Sequence, residues 1–110
     1  MVPKRTRTGT ELEPFIHDFA DALKRDFDAE RVILFGSRAR GDWLRESDYD
    51  FVIVSRRFAG VHFFDRAVPI YQYWHTWPGV ELLCYTPEEY ERKRSEIGVV
   101  REAAREGIEL

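Results

Sequence analysis

The chain has 110 residues, 44% of them hydrophobic and 15% aromatic, which supplies one compact core and argues against global disorder. Its net charge of −3 argues against a protein that holds nucleic acid by bulk electrostatics, a task that takes a basic surface. The single cysteine, Cys84, rules out an intrachain disulfide and a cysteine-based zinc site. No signal-peptide pattern and no apolar run long enough to span a bilayer are present, so the expected location is the cytoplasm and no membrane partner is expected.

Residues 1–9 carry Lys4, Arg5 and Arg7 beside Pro3 and read as a flexible basic tail, leaving 10–110 as a single domain. Thr10 and Glu13 have the spacing of a capping box, and Leu12, Phe15, Ile16, Phe19, Ala20 and Leu23 follow helical periodicity, predicting an amphipathic helix that ends near Arg25. Residues 31–35 form a strand apolar on both faces, as in the middle of a covered sheet. A short helical turn is expected over 38–41, a polar loop over 42–47 and a second strand over 48–55. A helix is predicted over about 64–76, with Pro69 in its first turn or kinking it, and Pro78-Gly79 ends it. Val80 to Tyr85 is the third strand. Thr86-Pro87-Glu88-Glu89 is a second capping box, opening a mostly charged helix to about Ile97. After Gly98, residues Val99, Val100, Ala103, Ala104 and Ile108 suggest a short last helix with Gly107 at its C-terminus. Strands separated by helices, with one close pair, predict an α/β (α+β) fold: a small mixed sheet of three or more strands flanked by helices. The loop between the first two strands is too short for a crossover helix, so that pair should be antiparallel.

The chemistry concentrates where the first two strands meet. Gly36-Ser37 closes the apolar run Val32-Ile33-Leu34-Phe35, and after ten intervening residues Asp48 and Asp50 open the run Phe51-Val52-Ile53-Val54. In a strand, residues two apart face the same way, so the two carboxylates should project together. Gly36 lets a phosphate approach without a Cβ in the way, and Ser37 offers a hydroxyl and an N–H. Paired carboxylates with phosphates suit Mg²⁺, singly or as a two-ion clamp for in-line displacement. Glu81, the only acidic residue of the third strand, is the candidate third carboxylate, since a charge in an apolar run is costly unless it meets a partner or ligand. Arg38 and Arg40 could neutralise triphosphate charge; Arg40 could equally pair with a carboxylate and hold the turn. The Gly-Lys-Ser/Thr ending of a P-loop is absent.

Gly36-Ser37, Ala39-Arg40-Gly41, Ser47, Asp48-x-Asp50, Val80-Glu81-Leu82-Leu83 and Tyr85-Thr86-Pro87-Glu88-Glu89 together resemble the minimal nucleotidyltransferases of the DNA polymerase beta superfamily, over roughly residues 30–90. The resemblance implies a palm-like nucleotidyltransferase fold. It also implies transfer of a nucleoside monophosphate, AMP from ATP first, with release of pyrophosphate. Asp48, Asp50 and Glu81 would be the catalytic and metal-binding carboxylates for two Mg²⁺ ions; Gly36, Ser37 and Arg40 would bind the nucleotide. Glu81 stands where the family usually has aspartate, one methylene shorter. Small members of the family pair with helical HEPN proteins as toxin and antitoxin, so a HEPN-type protein is the implied partner and acceptor. An antitoxin acting by contact alone is the competing reading. Transfer to a small molecule such as an aminoglycoside, or templated polymerisation, asks for more chain than this one has. A homo-oligomer stays open.

The segment Tyr71-Gln72-Tyr73-Trp74-His75-Thr76-Trp77 is unusually aromatic and divides evenly between core and partner surface. Trp43 and Tyr49 lie beside the motif and read as packing residues rather than base-stacking ones. His17, His62 and His75 have no metal-ligand spacing.

Overall fold

A computed structural model describes residues 4–44 and 47–110. Its elements in chain order are α1 (Pro14–Phe27), β1 (Arg31–Phe35), α2 (Ser37–Arg40), β2 (Tyr49–Val54), 3₁₀ turns over Arg56–Phe58 and Phe63–Asp65, α3 (Val68–Tyr71), β3 (Val80–Tyr85), α4 (Pro87–Lys93), α5 (Val99–Glu106) and β4 (Ile108–Glu109). The four strands make one mixed sheet in the order β3-β2-β1-β4. The β1–β2 pair is antiparallel, as its short connection requires, β2–β3 is parallel and β4 runs antiparallel to β1. The expected α/β class and mixed sheet are what the chain forms.

Strand alternation sorts the core into two layers. Val32, Leu34, Tyr49, Phe51, Ile53, Leu82 and Cys84 face α1, which lays Ile16, Phe19, Ala20 and Leu23 against them. Ile33, Val52, Val54 and Tyr85 face the other way, under Tyr90 of α4 and Val100 and Ala103 of α5. The helix covering this second face is thus less peripheral than its charged sequence suggests.

Four local expectations change. Helix α1 begins at Pro14, and Thr10 does not cap it: the Thr10 N–H donates instead to Thr6 Oγ1 at 3.1 Å. Proline pushes the preceding residue into extended backbone and itself suits the first helical position, so Glu13, at ψ 145°, becomes the N-cap. The predicted helix over 64–76 reduces to one 3₁₀ turn and the single turn of α3. Pro69 sits in that first turn, while Tyr73 and Trp74 leave helical geometry to pack on α1. Helix α4 keeps its predicted capping box, with Glu89 N–H on Thr86 Oγ1 and Thr86 N–H on Glu89 Oε1 at 2.8 Å, but stops at Lys93. Ile108 belongs to a strand rather than the last helix: Gly107 ends α5, and a Cβ there would collide with Ala103 O and Ile33 Cγ2, so only glycine lets the chain turn onto β1.

Of residues 1–9, expected to be a flexible tail, the described part, 4–9, is tied down. Thr6 is buried, the Arg7 N–H donates to Ala39 O at 2.9 Å, and the Arg7 guanidinium donates to Glu106 O and Arg105 O. Among the described residues, no helix is long and apolar enough to cross a membrane.

Candidate active site

Asp50 is the second residue of β2, on the face shared with Val52 and Val54, opposite Phe35 of β1 on one side and Glu81 of β3 on the other. The parallel register of β2 and β3 therefore delivers Glu81 to Asp50 across one interstrand step. Asp48 lies two residues ahead, just outside the strand, and its Oδ1 faces Gly79: a Cβ on that glycine would stand 3.4 Å from it. Gly79 is fixed by its carbonyl, which accepts from the Tyr49 N–H at 3.1 Å. The three acids expected to form the site thus sit at the starts of two adjacent strands.

Gly36 closes the site on the β1 side. Its φ of 75° favours glycine, and a Cβ would come within 2.5 Å of Asp50 Oδ2. Any side chain here would both strain the backbone and push into the carboxylate. Ser37 starts α2 directly after it, and Gly41, at φ 94°, ends that single turn. A Cβ on Gly41 would collide with Thr8 Oγ1, so the N-terminal segment packs directly behind the turn.

The electrostatics single out Asp50. Burial pushes its carboxyl up to about 6, helped by a hydrogen bond shared with Glu81 and by the like charges of Glu81 and Asp48; Arg40 offsets this only in part. The cluster is therefore short of positive charge, which favours a cation beside it. Among the described residues, no three acidic, histidine or cysteine side chains are already gathered into a finished ligand cage. The donors nonetheless suit a hard divalent ion: they are all carboxylate oxygens, exposed at Asp48 and Glu81 and backed by a glycine that leaves the space open.

The arginines divide their roles. Arg40 is exposed, and its Nε donates to Asp42 Oδ2 at 3.2 Å, the turn-holding alternative, while its charge still acts on Asp50. Arg38 is only 6% exposed. Its guanidinium lies over the rings of Tyr49 at 4.4 Å and Trp43 at 5.1 Å, and its Nε donates to the Ser47 carbonyl, one residue before Asp48. It fixes the loop that carries Asp48 rather than facing solvent as a triphosphate clamp. Tyr49, buried against Phe15 and Trp74, donates its hydroxyl to Glu13, and burial with that neighbouring carboxylate pushes its phenol up to about 12. Both aromatics beside the motif are packing residues, as read. Gly79 was read only as a helix stop; its signal was its position two residues before Glu81, on the strand that pairs with Asp50.

Residues 16–106 match the sequence profile of the family described as "Nucleotidyltransferase domain". The chain is a member of that family. Among curated proteins, this nucleotidyltransferase domain is 48% identical over 44 residues to the "Putative protein adenylyltransferase" of Methanocaldococcus jannaschii, which covers 38% of the present chain and 44% of that protein. The matched region thus spans less than half the length of the curated relative. Among solved structures, it resembles a "putative nucleotidyltransferase" of Sulfolobus solfataricus, with TM-score 0.57 and 28% identity over 71% of this chain and 69% of that one. BolA1 of Arabidopsis thaliana superposes as well, with TM-score 0.56 over 71% of this chain and 98% of that one, but at 16% identity it shares the fold alone.

Proposed function

We propose that this domain transfers a nucleoside monophosphate, AMP from ATP, to a hydroxyl of a protein acceptor, with Mg²⁺ held by Asp48, Asp50 and Glu81. One observation supports this above the rest: a glycine whose missing Cβ makes room for the Asp50 carboxylate, with Asp48 and Glu81 beside it at the same end of the sheet. Bound Mg²⁺ would supply Lewis-acid stabilisation of phosphate charge. The chain's own residues do the rest. Gly36 and Ser37 receive the departing phosphates on the β1 side, and Arg40 adds positive charge there. The acceptor oxygen bonds to the α-phosphorus as the bond to the bridging oxygen breaks and pyrophosphate leaves. In-line geometry puts the acceptor opposite the leaving group, on the β3 side, where Glu81 takes the hydroxyl proton.

The acceptor proposed from the resemblance is a HEPN-type toxin, with this chain as antitoxin. The Methanocaldococcus relative, described as a "Putative protein adenylyltransferase", supports the reading of a protein acceptor. Incubating the chain with ATP, Mg²⁺ and such a protein should add the mass of one AMP moiety to the acceptor by intact-mass analysis. A folded, ATP-binding sample that leaves the acceptor mass unchanged would count against the proposal.

A row of exposed apolar residues favours a second reading, neutralisation by contact alone. Phe64, Val68 and Tyr71 all stand in solvent on the segment between β2 and β3. Neutralisation that survives the Asp48→Asn, Asp50→Asn double substitution selects this reading; its loss selects the enzymatic one.

A further inference from the structure

Carboxylates and a glycine turn deal with phosphates and leave the nucleoside without a seat. We propose that the indole of Trp77 is the stacking platform for the nucleobase, so that the site takes purine nucleoside triphosphates in preference to pyrimidine ones; this deepens the nucleotidyl-transfer reading and rests on it. Trp77 is 64% exposed, and among the described residues its indole makes no ring contact and no hydrogen bond. Its exposure is not slackness. Trp74, three residues earlier, is wedged among Phe15, Phe19, Tyr49 and Phe51 at centroid distances of 5.1 to 5.8 Å, and its Nε1 donates to the Pro78 carbonyl at 3.0 Å. On the other side Gly79 is held by the Tyr49 N–H. The chain on both sides of Trp77 is therefore fixed while its large apolar ring stands in water.

Its position fits a base. Gly79 faces the Asp48 carboxylate, and Trp77 stands only two residues before Gly79. Two exposed apolar side chains flank the acids along the chain: Leu44 (78% exposed), four residues before Asp48, and Trp77. The other tryptophan beside the motif, Trp43, is already engaged by the Arg38 guanidinium. Stacking on an indole needs no base-specific hydrogen bond and grows with the π-face, which favours a purine.

Calorimetric titration of magnesium complexes of ATP, UTP and tripolyphosphate into the wild-type chain, Trp77→Ala and Trp77→Phe tests this. Wild type should bind ATP severalfold more tightly than UTP, and about tenfold more tightly than it would without the stacked base, the factor stacking typically supplies. Trp77→Ala should lose that factor for ATP, collapse the ATP-to-UTP ratio and leave tripolyphosphate affinity unchanged; Trp77→Phe should restore most of the difference. Equal losses on all three probes would mean general damage and overturn the proposal. Unchanged ATP affinity in Trp77→Ala would assign the indole to the acceptor or another surface and overturn it too. A wild-type chain that binds none of the three probes defeats the nucleotidyl-transfer reading itself, and the platform with it.

Discussion

The two ends of β3 treat a carboxylate in opposite ways. At its start, Glu81 and Asp50 crowd together beside Asp48, and the Asp50 carboxyl is pushed up to about 6. At its far end, Arg66, only 7% exposed, donates to the Cys84 carbonyl and to both oxygens of Glu89, at 2.6 and 3.3 Å. That bonding holds the Glu89 carboxyl down at about 2, with the Thr86 cap adding to it. The two ends of one strand thus border, on α4, an acid whose charge the fold satisfies and, on β2, an acid whose charge it leaves for something else to satisfy. A sheet end that stores like charge destabilises the empty protein, which makes sense where a cation or substrate completes it. The paired end only needs to stay folded.

The largest effect should come from breaking the unsatisfied end. Asp50→Asn keeps the shape, lets an amide donate to Glu81 and removes a ligand oxygen. Nucleotidyl transfer should fall about a thousandfold, the scale seen when one electrostatic group is lost from an active site. Folding should respond in the other direction. The folded pKa of Asp50 lies above its ordinary 3.8, so its stabilising contribution is full below pH 3.8 and is lost as pH rises through about 6. Without metal, the wild-type chain should therefore lose stability between pH 4 and 7 by urea unfolding. Asp50→Asn should flatten that slope. A variant equally impaired in folding and transfer would erase the distinction between the two ends.

The paired end predicts a loss of stability with activity per folded molecule intact. Arg66→Ala strands the Glu89 carboxylate and leaves the Val61 and Cys84 carbonyls without their donor. The expected cost is about 3 kcal/mol in chemical unfolding, the lower part of the range for breaking a buried pair because Glu89 is partly exposed. The pH dependence has the opposite sign to that of Asp50. The Glu89 pKa is lowered from 4.5 to about 2, so its contribution is present above pH 4.5 and is lost as pH falls toward 2. The two groups together place their best pH between the two slopes, and each substitution should remove only its own.

The two ends were also unequally legible in the sequence. Gly36, Asp48 and Asp50 announce themselves through spacing, because strand alternation converts two residues apart into one face and a glycine into an open approach. Glu81 was legible as an acid stranded in an apolar run, and the parallel register then brings it to Asp50. Arg66 gave no such signal: it lies in a segment read as helix, and its partners are 18 and 23 residues away. Such pairing depends on where a loop lands, which periodicity does not encode. The same limit hid β4. Ile108 fits a helical pattern by spacing, and only the edge of β1, open to a partner, makes two residues into a strand. Pro14 shows the reverse, a local signal that was present and outweighed by the Thr10–Glu13 spacing.

The smallest effect sharpens the comparison at the paired end, where two devices act on one carboxylate. Thr86→Ala removes the hydroxyl that accepts the Glu89 N–H but leaves Arg66 in place, and should cost about 1 kcal/mol of stability, as lost N-caps do. Because Arg66 is the main cause of the lowered Glu89 pKa, the acid-side slope should survive in Thr86→Ala and vanish in Arg66→Ala. If the cap variant instead loses the slope, the helix start rather than the guanidinium holds Glu89 charged. The far end of β3 would then be stabilised by a local motif that the sequence already displays, and not by a long-range pair.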